Sequence, residues 1–349
     1  MRVESGFRTG DLATVPAEAR RLERLGYDAA NTPETQHNPF LPLVLAAEHT
    51  ERLHLGTAVA IAFARSPMVV ANTFWDLQAY SRGRMSIGLG SQVKGHNIRR
   101  FSVPWSPPAP RMREYVLALR AIFDTFQNGV PLDFQGQHYQ FTLMTPNFNP
   151  GPIDHPRIPI YISAVGKVMA RVAGEVCDGV RIHGFTTRRY TEEVLFPAFE
   201  EGRRRSGRSL ADFDISGGGF IVSGRTQAEV EQAREATRRQ VAFYASTRTY
   251  QAVLELHGWA DVCTQLHEMV AQGRWSELHT LITDDILDEF AVFGTYDEIV
   301  PKVQARYEGL CDSIAFGPTP RTAGEEDRIR ETIAGLKTIR TRRDAVQAA

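Results

Sequence analysis

One pattern constrains this chain more than any other. A short β-type run, a turn and an amphipathic helix recur in that order along most of its length, as in parallel α/β folds. A first short strand near Arg2–Glu4 precedes Val15–Leu25, where Ala19, Leu22 and Leu25 share one helical face and Gly26 ends the helix before a second strand at 27–31. A helix over 41–52 leads to LHLGTAVAI at 53–61, apolar enough for a strand buried on both faces. Helix 67–80 and strand RMSIGLG at 84–90 follow. The segment 92–109 is long, irregular and Pro-rich at its end, and a strong helix covers 111–127. Residues 129–149, with PLDFQGQHYQF, read as a β-hairpin or an excursion. Order resumes with strand five at 158–164, helix 167–177, strand six at 179–183, helix 191–205 and strand seven at 213–222. A nearly all-helical stretch at 226–290, a helix at 297–310 and strand eight at 312–316 complete the series.

Eight strands alternating with helices predict a closed (β/α)8 TIM barrel, because closure gives a reason for eight that an open doubly wound sheet lacks. The barrel carries an excursion after strand four and a helical insertion after strand seven. A barrel takes ~250 residues, so the 349 present suit one decorated domain over 1–349. Within it the helical insertion is placed at about 226–290 and a C-terminal helix and tail at about 325–349.

Composition narrows the function classes. Lys and Arg number 40 against 41 Asp and Glu, so no global field draws a polyanion, and a nucleic-acid partner is not expected. Cys177, Cys263 and Cys311 lie far apart without a CxxC pair, which argues against structural zinc and against a disulfide framework; no metal site is predicted. No apolar run approaches the ~20 residues of a membrane span, and none follows Arg2 as a leader would require, so a cytoplasmic protein without a membrane partner is expected.

In a barrel of this kind the strand exits build the ligand face. Here they are small or polar: Asn31-Thr32-Pro33-Glu34 after strand two, Thr57-Ala58-Val59 in strand three, Gly90-Ser91-Gln92 after four, Ser163-Ala164-Val165-Gly166-Lys167 after five, and His183-Gly184 after six. Small residues at neighbouring exits leave room for a flat ligand of cofactor size. Gly166 and Lys167 open a helix directly after an apolar strand, so free N–H groups and one positive charge favour a phosphate there. Several motifs fail: Val93 stands where the third glycine of a dinucleotide fingerprint belongs, Ser91 lacks the glycine of a nucleophile elbow, and His267-Glu268 does not continue as HExxH.

In succession, LERLGYDAANTPE at 22–34, LGTAVAIAFARSP at 55–67, DLQAYSRGRMSIGLG at 76–90, PIYISAVGKVMARVAGEVCDGV at 159–180 and VFGTYDEIVPKVQARYEGLCDSIAFG at 292–317 resemble the bacterial luciferase-like superfamily, in its branch of coenzyme F420-dependent oxidoreductases. The resemblance implies hydride transfer between the deazaflavin and an organic substrate, small-molecule or peptide, by a homodimer. It also implies a non-prolyl cis peptide at Ala58-Val59 under the ring, with Thr57 beside it, phosphate contacts from Ala164 to Lys167, and a cofactor contact at Ser163. Further cofactor contacts are implied at His183 and Gly184, and at Gln92 and Asn97 in the loop after strand four. For proton chemistry it points to Glu34, with His37 nearby, or to His96. Sugar-phosphate dehydrogenases of that branch have a glutamate near the position of Val93, so a sugar phosphate is not the expected substrate. Two alternatives stay open: an FMN-dependent monooxygenase, and a non-catalytic barrel that has lost its cofactor.

Overall fold

The computed structural model describes residues 1–7, 10–318 and 322–347. Its main sheet is parallel throughout. The barrel strands are β1 (Arg2–Gly6), β2 (Ala29–Thr32), β3 (His54–Thr57, resuming at Ala60–Ile61), β4 (Met85–Gly90), β5 (Ile160–Ala164), β6 (Gly179–Ile182), β7 (Asp214–Ser216) and β8 (Ser313–Ala315). Each pairs with the next, β8 returns to β1 through Arg2↔Ser313, and β3 meets β4 through Leu55↔Met85, so eight strands close the barrel.

Local chemistry sets the helices around it. Val15–Leu25 buries Val15, Ala19, Leu22 and Leu25 in the core and stops at Gly26, whose φ of 89° suits only glycine without strain. Ser66 caps Pro67–Tyr80 by accepting from the Met68 amide at 3.3 Å. Pro108–Asn128 buries Met112, Tyr115, Leu119, Ile122 and Phe126 at helical spacing, and its Phe123 stacks on Trp75 with centroids 5.5 Å apart. Its Glu114 accepts from the amides of Gln137 and His138 at 3.1 and 2.7 Å, which fastens the hairpin Phe134–Gln135/Gln140–Phe141 to the barrel wall. Ala323–Lys337 and Arg342–Gln347 close the N-terminal end, where the Met1 amine donates to the Lys337 and Ile339 carbonyls. The end of the expected 325–349 tail, residues 348–349, lies outside the described residues.

One expected element divides. The run 213–222 is not a single strand: Asp214–Ser216 stays in the barrel, while Phe220–Gly224 leaves it and pairs in parallel with Ala291–Thr295. Gly217-Gly218-Gly219 makes the exit. A Cβ on Gly218 would come within 2.4 Å of the His183 carbonyl oxygen, and Gly219 has φ +90°. Between the two paired segments run the helices Gln227–Ala245, Gln251–Leu256, Ala260–Ala271 and Asp284–Phe290; Tyr244 of the first and Phe290 of the last pack on His183 and Phe185 just beyond β6.

Candidate active site

Inward-facing residues of the barrel are charged at its lower end and small at its mouth. Arg2 donates to both oxygens of Asp214 at 2.7 and 2.5 Å, and the Tyr161 hydroxyl donates to Asp214 at 2.8 Å. One layer higher, Arg181 Nη1 donates to Glu4 Oε2 at 2.7 Å and Nη2 to Asn31 Oδ1 at 3.0 Å, while Asn31 Nδ2 donates to Glu4 at 2.8 Å. Burial raises the Glu4 carboxyl, but the Arg181 guanidinium, the Ser313 hydroxyl and Arg2 together hold the group below the usual carboxylate range. This network is a polar plug, and above it the chain offers glycines and small side chains.

Side chains alternate along a strand, so Ser163 and His183 follow Tyr161 and Arg181 onto the inner face at the mouth. Thr57 is buried, and its hydroxyl is engaged in bonding β3 to β4: Oγ1 donates to the Gly88 carbonyl at 2.6 Å and accepts from the Gly88 amide at 2.9 Å. The approach there is so close that a Cβ on Gly88 would lie 1.9 Å from the Thr57 carbonyl oxygen. Ala58 is exposed between buried Thr57 and half-buried Val59, and the Ala58-Val59 peptide is cis. Gly90 sits beside it, with no room for a Cβ against Val59 Cγ2 at 2.6 Å. The result is a small apolar shelf facing the mouth.

Across β4 and β5 from that shelf, Gly166 precedes the helix Lys167–Val176 with no side-chain cap, and both Gly166 and Lys167 are exposed. The first intrahelical bond is Ala170 N–H to Gly166 O, so the amides of Lys167, Val168 and Met169 have no acceptor within the helix. A Cβ at Gly166 would meet nothing within 4 Å. Val165 is half-buried and Ala164 buried behind it, and the His183 amide donates to the Ala164 carbonyl at 3.3 Å, which brings His183 and Gly184 alongside 163–167. In the loop after β4, Gln92 takes φ 55° and accepts from the Val93 amide at 2.8 Å. Buried Asn97 donates to the Ser91 and Val93 carbonyls at 2.9 and 3.2 Å, and its Oδ1 has no hydrogen-bond partner. Exits β2 to β6 are consecutive around the barrel, so these residues form one arc.

The expected proton-handling groups fare differently. Glu34 is at the arc, but both its oxygens are engaged: Arg65 donates to each at 2.7 Å, and the Ile61 amide donates to Oε2 at 2.7 Å. That pairing fixes the β3 exit and leaves the carboxylate as an acceptor. His37 and His96 are both exposed, the latter on the short helix Lys94–Arg99. Among the described residues no cluster of His, Cys, Asp and Glu could hold a metal ion, and no helix is long and apolar enough to cross a membrane.

Sequence reading missed the aromatic wall over β6. The His183 ring lies 4.8 Å from Tyr244 and 4.9 Å from Tyr250, and Phe185 stacks on Tyr250 and Phe290 at 5.6 and 4.3 Å. VAFYASTRTY at 241–250 carries these tyrosines, but helical spacing could not show which strand exit they cover.

A family model described as luciferase-like monooxygenase matches residues 2–313. An uncharacterized protein of Mycobacterium tuberculosis (strain ATCC 25618 / H37Rv) is 47% identical over 309 residues, 88% of this chain and 91% of its own. A 5,10-methylenetetrahydromethanopterin reductase of Methanopyrus kandleri is 27% identical over 290 residues, 79% of each chain. Among solved structures, the coenzyme F420 dependent tetrahydromethanopterin reductase from Methanopyrus kandleri superposes with a TM-score of 0.75 at 22% identity, covering 97% of this chain and 99% of its own.

Proposed function

Because the chain belongs to the luciferase-like monooxygenase family, we propose that it is a coenzyme F420-dependent oxidoreductase that binds the deazaflavin at the C-terminal mouth of the barrel. When bound, the coenzyme donates or receives a hydride. The observation that carries the reading is a juxtaposition: the Ala58-Val59 shelf, with Ala58 exposed and Val59 half-buried, and the uncapped helix start at Gly166-Lys167 occupy one arc of strand exits. A flat ring fits the first and a phosphate the second. The orphaned Asn97 Oδ1 is a further buried acceptor at the same rim.

In this reading Ala58 and Val59 support one face of the ring, and Gly90 permits that support by leaving space for Val59. The Gly166 to Met169 amides and the Lys167 ammonium hold the phosphate, an interaction that needs no basic surface elsewhere. Ser163, His183 and Gly184 border the ring on the β5–β6 side, while Gln92 and Asn97 border the β4 side. Catalysis then rests mainly on orientation, the protein fixing the reactive carbon against the substrate. F420 is favoured over FMN by the solved structure whose fold this chain shares, a reductase described as coenzyme F420 dependent.

Equilibrium titration separates the two coenzymes. The purified protein is expected to bind F420 in the micromolar range or tighter, about −8 kcal/mol, and FMN at least tenfold more weakly. Tight FMN binding with none for F420 would contradict the proposal.

A further inference from the structure

His183 is bounded on the insertion side by rings and hydroxyls. Its Nδ1 accepts the Phe185 amide proton at 3.0 Å, so the neutral imidazole carries its hydrogen on Nε2, which lies 3.5 Å from the Tyr250 hydroxyl. Tyr244 stands edge-on to the imidazole at 89° and lies 6.5 Å from Phe220 in a stacked pair, while Phe185 backs Tyr250. Among the described residues no charged side chain contributes: burial alone pushes His183 down to about 4, and burial, helped by Tyr244, pushes Tyr250 up to about 12. Both groups are therefore neutral hydrogen-bond donors at neutral pH. Glu34, by contrast, is engaged with Arg65.

Such a wall suits a flat, uncharged ligand, since a charged one would enter without a counter-ion. Of its two tyrosines, Tyr250 is the one whose hydroxyl lies within 3.5 Å of His183 Nε2. We infer that Tyr250 Oη is the group that hydrogen-bonds, and passes a proton to, the oxygen of an uncharged aryl or cyclic ketone, with His183 Nε2 as a positioning donor behind it. The inference rests on the coenzyme reading above and adds to it the substrate class and the proton source. Written for reduction, the carbonyl carbon gains a hydride from the reduced deazaflavin, and the C=O π pair moves to oxygen. That oxygen takes the Tyr250 proton, and the phenolate, held by the His183 N–H, regains a proton from water. Oxidation of the alcohol runs the same exchange backwards.

The test uses the full chain, F420 and acetophenone labelled with 13C at the carbonyl. Binding of F420 is measured first. The carbonyl resonance is then read with and without oxidised F420, in wild type and in Tyr250→Phe. The wild-type resonance is expected downfield of the variant's, because only the wild type donates to the carbonyl oxygen. With reduced F420, Tyr250→Phe is expected to lose roughly 100-fold or more in kcat, the span of general acid catalysis, with F420 affinity unchanged and the loss in kcat larger than any rise in the ketone KM. His183→Phe is expected to lower kcat at unchanged KM, and His183→Gln, which keeps a donor, to recover part of it. An identical carbonyl shift in Tyr250→Phe, undiminished turnover in that variant, or binding of pyruvate in preference to acetophenone would each overturn the inference, as would failure of acetophenone to bind. Failure of F420 to bind would overturn the coenzyme reading instead, and the carbonyl shift without coenzyme still scores the Tyr250 contact.

Discussion

A Gly166→Trp variant is expected to lose F420 binding by 100-fold or more, about 2.7 kcal/mol, while melting at the wild-type temperature. Gly166 has φ −94°, a conformation open to any residue, and a Cβ there meets nothing within 4 Å. The indole therefore adds bulk in front of the free first-turn amides without disturbing the helix behind them. Fluorescence titration with F420 beside a thermal melt reads both effects. Retained binding would place the phosphate elsewhere, and a lowered melting temperature would show that Gly166 has a structural duty.

The second large effect concerns the plug. Glu4→Ala is expected to cost about 3–5 kcal/mol, because it leaves the Arg181 guanidinium buried without its carboxylate. Glu4, Asn31 and Arg181 share three hydrogen bonds among them, so the loss also strips a partner from the Asn31 amide. Arg181→Met on the Glu4→Ala background is expected to recover much of that stability, a coupling that urea denaturation of the four proteins measures directly. The same carboxylate gives acid sensitivity. Its folded value lies below the unfolded one, so its stabilisation is full above the ordinary glutamate value of about 4.3 and declines as pH falls through the lower, folded value. Glu4→Ala is expected to flatten that part of the pH–stability curve.

Periodicity located the barrel because each strand is short and bounded by turn residues. Met85–Gly90, for example, lies within the run expected at 84–90. It went astray at 213–222, where an unbroken β-type run spans a glycine triplet. Hydrophobic pattern reports that a segment is buried, not which sheet buries it, and only the tight approach of Gly218 to His183 shows why the chain turns out. The site was legible in the same partial way. Exit residues follow from strand ends, and the Ala58-Val59 pair was implied by the family resemblance. The engagement of Glu34 with Arg65, 31 positions away, and the cover of His183 by Tyr250, 67 positions away, are long-range facts with no local signature.

Amide hydrogen exchange with and without F420 tests the central claim most directly, because it reports both binding and place. Protection is expected at 57–60, 91–97, 163–169 and 183–185, all at the C-terminal mouth, with the N-terminal end of the barrel unchanged. Protection confined to the N-terminal face, around Arg157 and Arg208 where a cavity of about 590 Å³ opens, or no protection at saturating F420, would contradict the account.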